Sequence, residues 1–225
     1  QWKEYDNDFI INGYYHSGSD IIARFYNAGH ILGSASILIQ QDDKKVFFSG
    51  DINNDSQVLI PAAELPTNKV DILISETTYG STESSIIPPL ENETERLAKS
   101  INKSVNKGGS ILIPVFSLGK MQEMLALLSQ LISNGKIPDI DIYTGGIGTK
   151  ISRIYDYNRY VVKRIDAEFV LSAIPQKSIY DIDDPADFFR QPCIVLASSG
   201  MMMSGTTSYK LAHHWIKHKD SAIFL

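Results

Sequence analysis

Several kinds of residue and segment are scarce in this 225-residue sequence. Cys193 is the one cysteine, which excludes an internal disulfide and favours a reducing, cytoplasmic setting. No apolar run approaches the ~20 residues of a membrane-spanning helix, so we expect no membrane partner. Basic residues do not predominate: the formal net charge is −5, which argues against non-specific nucleic-acid binding through a broadly basic surface.

Histidine is also scarce, with five residues in the chain. His213, His214 and His218 are close in sequence, and His214 and His218 have the four-residue spacing of neighbours on one helix face. The H-E-x-x-H pattern of a helical zinc site is absent, and no nearby carboxylate completes a ligand set. We therefore interpret this group as a solvated helix surface. His16 falls in a predicted loop.

The remaining histidine, His30, lies in a loop between Gly29 and Gly33. A predicted strand follows at residues 34–40, the chain turns at residues 41–44, and a returning strand at residues 45–49 leads to Asp51. Such a hairpin can bring His30 and Asp51 to one edge of a sheet. Imidazole and carboxylate groups suit a borderline divalent metal such as zinc, whereas either residue alone is an ordinary loop residue.

Hydrophobic periodicity predicts an α/β fold. Strands are predicted at residues 20–26, 34–40, 45–49, 70–75, 110–115, 139–143, 193–197 and 221–225, and helices at residues 91–106, 120–134, 149–159 and 207–218. The first part is rich in hairpins. After residue 88, strands that are apolar throughout alternate with helices, which is typical of a parallel sheet covered on both faces.

Five segments occur in a recognisable order. They are Ala28-Gly29-His30 with Gly33-Ser34, then Ser49-Gly50-Asp51, Ser75–Gly80 (SETTYG), Ile113–Lys120 (IPVFSLGK) and Ala197–Met201 (ASSGM). The series resembles the β-CASP family of RNA-processing nucleases within the metallo-β-lactamase superfamily. That resemblance implies part of a metallo-β-lactamase αββα sandwich at residues 1–88. It implies a β-CASP domain at residues 89–225, with a mostly parallel sheet flanked by helices.

The resemblance also implies roles for individual residues. His30 and Asp51 would be metal ligands, and Asp51 would bridge two Zn²⁺ ions. Asp51 and Glu76 would be the catalytic carboxylates, with Glu76 orienting neighbouring ligands as outer carboxylates do. Two such cations clamp a phosphodiester and supply a hydroxide for in-line attack, so RNA would be both partner and substrate. Cleavage would take place in a cleft between the two domains.

Two strand-to-helix connections are candidate phosphate contacts. The first carries Ser117 and Lys120, and the second carries the run Ser198-Ser199-Gly200. Lys120 stands where the family often has arginine. Arginine can bind a phosphate through two parallel hydrogen bonds, whereas lysine acts as a point charge. Ser117 could instead simply cap the following helix. The glycines at residues 145–148 lack the third glycine of the G-x-G-x-x-G pattern, so we predict no dinucleotide site there.

The H-x-H-x-D-H segment of metallo-β-lactamase enzymes is absent, and residues 221–225 read as a strand cut short. We therefore expect a piece of a longer protein, which alone is inactive and binds zinc weakly. A non-catalytic relative that binds RNA or a partner subunit is the alternative. A small-molecule hydrolase is a third reading, which the α/β half after Glu76 disfavours. A homodimer fits the sequence, which leaves the oligomeric state open.

Overall fold

Two five-stranded sheets organise the protein in a computed structural model, which describes the backbone of residues 9–11 and residues 21–225, apart from the Ser84 side chain. The first sheet contains β1 (Phe9–Ile11), β2 (Ile21–Asn27), β3 (Ala35–Gln41), β4 (Lys44–Phe48) and β5 (Ile72–Ile74), in that spatial order. The first four strands are antiparallel neighbours, and β5 runs parallel to β4. The predicted hairpin is thus the β3–β4 pair.

The second sheet is entirely parallel, and helices connect most of its strands. In chain order the elements are α1 (Leu90–Val105), β6 (Ile111–Pro114), α2 (Lys120–Ser133), β7 (Asp141–Thr144), α3 (Ile147–Tyr157), β8 (Lys177–Ser178), β9 (Cys193–Ala197), α4 (Thr207–Trp215) and β10 (Ala222–Ile223). The strand order is β10-β6-β9-β7-β8. The α/β class predicted from the sequence is confirmed.

The core of the second sheet explains why its central strands were easy to recognise. Every residue of β6 and β9 is buried, as expected for parallel strands covered on both faces. Trp215 at the end of α4 packs on this core, and its indole N–H donates to the Ser110 carbonyl at 3.1 Å. Burial raises the pKa of the Cys193 thiol to about 11, so Cys193 packs as a neutral thiol.

The region that was hardest to read from the sequence, residues 160–190, contains β8 and three short 3₁₀ helices at Leu171–Ala173, Ile179–Asp181 and Pro185–Phe189. Strand β8 is only two residues long and pairs with β7 at the sheet edge. A segment this short and polar carries no periodic signal, so the sequence did not predict it.

The predicted helix at residues 207–218 is shorter in the structure, because α4 ends at Trp215. The interpretation of His214 and His218 as neighbours on one helix face was therefore wrong. His218 lies beyond the helix and stacks on Phe189, with ring centroids 3.6 Å apart. His16 lies outside the described residues.

The chain divides into two units, and the break falls between Ile87 and Pro88. The first unit comprises residues 1–87 and the short segment 162–165; the second comprises residues 88–161 and 166–225. The return of residues 162–165 to the first unit was not expected from the sequence. Assignment of the units to a metallo-β-lactamase domain (1–88) and a β-CASP domain (89–225) stays a prediction. No helix formed by the described residues has the length and apolar character needed to cross a bilayer.

Candidate active site

The His30 loop is fixed by hydrogen bonds from its own backbone and from a neighbouring segment. The backbone N–H groups of His30 and Ile31 both donate to Ser34 Oγ, at 3.1 Å each. Gln57 Nε2 donates to the carbonyls of Gly29 (2.8 Å) and His30 (2.9 Å). These bonds hold the loop between β2 and β3 without using the His30 imidazole.

Gly29 allows this loop to pack closely against the backbone of Asn53 and Ala63. Its φ of +71° lies in the left-handed region that favours glycine. A Cβ there would lie 2.6 Å from both the Ala63 nitrogen and the Asn53 carbonyl oxygen. The loop therefore needs glycine for two separate reasons, conformation and space.

The Asp51 and Glu76 segments are joined at the ends of the parallel strands β4 and β5. The buried Ser49 donates its backbone N–H to the Ile74 carbonyl (2.9 Å), and its Oγ accepts from the Glu76 N–H (3.2 Å). Glu76 returns the contact, because its Oε1 accepts from the Ile52 N–H at 2.9 Å. The carboxylate of Glu76 thus holds the backbone next to Asp51.

The structure brings His30 and Asp51 together, as the hairpin predicted. His30 Nε2 lies 3.9 Å from Asp51 Oδ2, and the side chains are 39% and 76% exposed, so both groups are accessible to an incoming ion. Zinc bonds to nitrogen and oxygen at about 2.0–2.2 Å, so two donors of one tetrahedral ion are about 3.4 Å apart, and a shift of about 0.5 Å between these exposed side chains would bring both to one ion. The pair therefore fits as part of a zinc site.

This pair alone does not make a complete metal site. Within the part of the chain that the structure describes, no group of three or more His, Cys, Asp or Glu side chains could hold a metal ion. Structural zinc takes four ligands and catalytic zinc takes three protein ligands plus water. Further donors would have to come from outside the described residues.

Glu76 is held in its charged form. A hydrogen bond from the Thr78 side chain, the backbone N–H groups of Ile52 and Thr78, and the nearby His30 lower the pKa of Glu76 below its usual 4.5. An ionised carboxylate accepts hydrogen bonds and does not donate them. Glu76 is therefore an acceptor and a local negative charge at neutral pH.

The two candidate phosphate loops lie side by side in the second unit. Ser117 and Lys120 follow β6, whereas Ser198, Ser199 and Gly200 follow β9. These strands are parallel neighbours with Pro114 opposite Ala197, so both loops leave the same edge of the sheet.

The loops also touch each other. A Cβ on Gly200 would lie 3.1 Å from the Phe116 nitrogen and from the Phe116 ring. Ser208 holds the second loop, because its backbone N–H donates to the Ser198 carbonyl (2.9 Å) and its Oγ to the Ser199 carbonyl (2.6 Å). The structure therefore brings the two predicted loops into contact at one edge of the sheet.

Two details of these loops differ from the sequence-based expectations. Ser117 does not cap α2; the cap position is Gly119, whose N–H donates to the Gln122 side chain at 2.8 Å. The second loop does not lead directly into a helix, because α4 begins at Thr207 after a Thr206 cap. Sequence reasoning gave no role to Ser49, although this residue begins the Ser49-Gly50-Asp51 segment, and it missed Gln57, which belongs to no motif. Both side chains act through hydrogen bonds to backbone groups.

Comparison with known proteins decides the family. Residues 121–225, which include the Ser198–Gly200 loop, match the family model described as the Beta-Casp domain. The chain belongs to the β-CASP family. The expected combination of fold and family is confirmed.

Relatives of this β-CASP chain are found in archaea and eukaryotes. It is 38% identical to an RNase J-like protein of Methanocaldococcus jannaschii over 184 residues, which cover 81% of this chain and 43% of that protein. It is 35% identical to cleavage and polyadenylation specificity factor subunit 3 of Dictyostelium discoideum, covering 89% and 26%. It is 32% identical to endoribonuclease YSH1 of Gibberella zeae, covering 93% and 27%. The chain spans less than half the length of these curated relatives.

Proposed function

We propose that the protein containing this chain is a metal-dependent ribonuclease that hydrolyses RNA phosphodiester bonds. The observation that carries the proposal is the convergence of His30 Nε2 and Asp51 Oδ2, 3.9 Å apart, beside a Glu76 carboxylate that holds the Asp51 segment. Relatives named as ribonucleases support the reaction class. Two Zn²⁺ ions are the proposed cofactors, and RNA is the proposed substrate.

His30 and Asp51 would hold the metal, together with ligands from the rest of the parent protein. When bound, such cations supply a hydroxide and stabilise the charge that develops on a phosphodiester. Glu76 keeps the Asp51 segment in place through the Ile52 N–H. This is the positioning role that outer carboxylates play around metal ligands.

The loops after β6 and β9 would hold the RNA backbone. Hydroxyl groups would come from Ser117, Ser198 and Ser199. Gly200 has no side chain, so a phosphate could come close to its backbone, and Lys120 would supply a positive charge. Phosphate contacts of this kind position a nucleic acid without reading its sequence. They are also weakened by salt, because binding releases the counterions of the phosphates.

Substitution of Asp51 in the parent protein tests the proposal. Asp51→Ala should reduce RNA cleavage by more than about a hundredfold, since loss of even an outer partner of a metal ligand costs 10–100-fold. Asp51 is exposed, so the unfolding curve in urea should stay close to wild type. Asp55→Ala is the matched control, because it removes another exposed carboxylate four residues away.

Full activity of the folded Asp51→Ala protein would refute the assignment. A wild-type parent that binds RNA without cutting it would instead support the non-catalytic alternative. Loss of activity in Asp55→Ala as well would point to the charge of the loop rather than to metal ligation.

A further inference from the structure

The sheet edge that carries the candidate phosphate loops continues past them. Strands β6, β9, β7 and β8 are successive parallel neighbours, so the loops that follow all four leave the same edge. Neighbouring strands are about 4.8 Å apart, which makes the distance from β6 to β8 roughly 14 Å. Parallel α/β sheets bind their ligands at this edge.

A groove of about 890 Å³ opens where β7 and β8 end. We call it the β7–β8 groove; its walls include the turn at Gly145-Gly146, the first turns of α3 and the segment 176–181. The volume lies in the range of ligand sites in proteins. Neither the proposed metal ligands nor the two phosphate loops line this groove.

The charge of the β7–β8 groove is opposite to that of the chain. Lys150 and Arg153 lie one turn apart on α3, and both are exposed. Among the described residues neither forms an ion pair, whereas Lys177 is bound to Asp141 at 2.7 Å. Asp181 is the carboxylate among the described lining residues. Two available cations in a groove of a chain with net charge −5 favour an anionic ligand.

The groove also presents an aromatic ring. Tyr180 is 64% exposed, although its ring is held against the glycine turn. A Cβ on Gly145 would lie 3.1 Å from Tyr180 Cε2, and one on Gly146 would lie 3.1 Å from the Tyr180 hydroxyl. Exposed rings next to cations are the usual platform for unstacked bases of single-stranded RNA.

A buried side chain joins the groove to the first phosphate loop. Gln122 accepts from the Gly119 N–H at 2.8 Å, and its Nε2 donates to the Gly148 carbonyl at 3.1 Å. Gly148 in turn is packed on Met121, because a Cβ there would lie 1.9 Å from Met121 Sδ. The start of α3 is therefore held in a fixed position relative to the Ser117–Lys120 loop.

We propose that the β7–β8 groove is a second contact site for single-stranded RNA. Lys150 and Arg153 bind phosphates there, and Tyr180 stacks on a base. The RNA strand thus runs along the sheet edge from the Ser117 and Ser199 loops to the groove. This inference rests on the proposed function, because it concerns the substrate of the same protein.

Binding of an RNA of about 12 nucleotides to the full-length protein tests the inference, with fluorescence anisotropy as the readout and Asp51→Ala as a background that prevents cleavage. The slope of log K (the RNA association constant) against log salt is negative. Removal of both cations by Lys150→Ala with Arg153→Ala should make this slope shallower by about 1.4, since each phosphate contact in single strands contributes about 0.7. Tyr180→Ala should weaken binding about tenfold, whereas Tyr180→Phe, which keeps the ring, should not.

The matched control is Lys103→Ala with Lys107→Ala, which removes two exposed cations of the second unit that do not line the groove. If the salt slope becomes equally shallow in both double variants, or if Tyr180→Ala binds RNA as well as the protein with Tyr180, this inference is overturned and the proposed function is not. Absence of RNA binding by the parent overturns the proposed function and this inference together. Weaker RNA binding that is confined to the groove variants supports the second contact site.

Discussion

Glu76 illustrates how a single carboxylate can hold a neighbouring segment of backbone in place. Its two oxygens accept from the backbone N–H groups of Ile52 and Thr78, at 2.9 Å and 3.2 Å. The Thr78 side chain, which is the largest cause, and these two backbone donors favour the ionised form, which is why the pKa of Glu76 is lowered. The same bonds fix the residue next to Asp51, so charge and position have one cause.

This lowered pKa makes a prediction about stability and pH. Because the folded protein holds Glu76 ionised below its usual pKa of 4.5, the contribution of Glu76 to stability is complete above pH 4.5. It is lost as the pH falls towards the lowered value. The difference in unfolding free energy between wild type and Glu76→Gln should therefore be largest above pH 4.5 and shrink on acidification, as measured by urea unfolding at a series of pH values.

The Thr78 side chain provides the control, because its hydrogen bond is the largest cause of the shift. Thr78→Ala should move the pKa of Glu76 back towards 4.5, as followed by NMR titration of the carboxyl group. A pKa of Glu76 that stays unchanged in this variant would contradict the explanation.

Gly29 provides the sharpest stability prediction for one residue. Gly29→Ala should cost about 3 kcal/mol, because it combines a left-handed backbone with a Cβ only 2.6 Å from two backbone atoms that cannot rotate away. Gly50→Ala is the matched control in the same unit. Gly50 has φ +58° but its Cβ would meet nothing closer than 3.4 Å, so the cost should be about 1 kcal/mol. Equal losses in urea unfolding would remove the steric argument.

At the scale of elements, one buried amide helps to fix the position of α3 relative to α2. Gln122 is fully buried and bonds to Gly119, Gly148 and Ser152. Gln122→Ala should destabilise the protein by about 2 kcal/mol, because it leaves buried backbone groups without partners. Gln130→Ala, at an exposed position of the same helix, should change stability by less than about 0.5 kcal/mol. Urea unfolding of both variants measures the difference, and a Gln122→Ala protein as stable as Gln130→Ala would contradict it.

The elements that the sequence predicted best are those with a strong hydrophobic pattern. Strand β9 was predicted with its observed bounds, Cys193–Ala197, since five consecutive buried apolar residues leave little ambiguity. The end of α4 was missed by three residues, because capping geometry rather than periodicity ends that helix at Trp215. Strand β8 was missed altogether, since backbone pairing with β7 alone defines it.

At the scale of the whole molecule, the ligand count predicts weak metal binding by this chain. Of the residues that the structure describes, His30 and Asp51 are the two donors brought together, whereas zinc sites use three or four protein ligands. Calorimetry should therefore detect no sub-micromolar binding of Zn²⁺ to the 225-residue chain, and the weak binding that remains should disappear in His30→Ala with Asp51→Ala. Tight binding by the wild-type chain would show that the ligand set is larger than this pair. Tight binding that survives in the double variant would place the metal elsewhere.

The sequence alone determined the class of the fold, the order of its main elements and the family motifs, because hydrophobic periodicity and short motifs are local properties. It also predicted that one hairpin would bring His30 and Asp51 together, since strand geometry fixes which ends meet. Only the tertiary structure decided three features: the hydrogen bond from the Ile52 N–H to the Glu76 carboxylate, the close approach of Gly29 to Ala63, and the groove around Tyr180. These features depend on contacts between residues far apart in the chain, which no local pattern encodes.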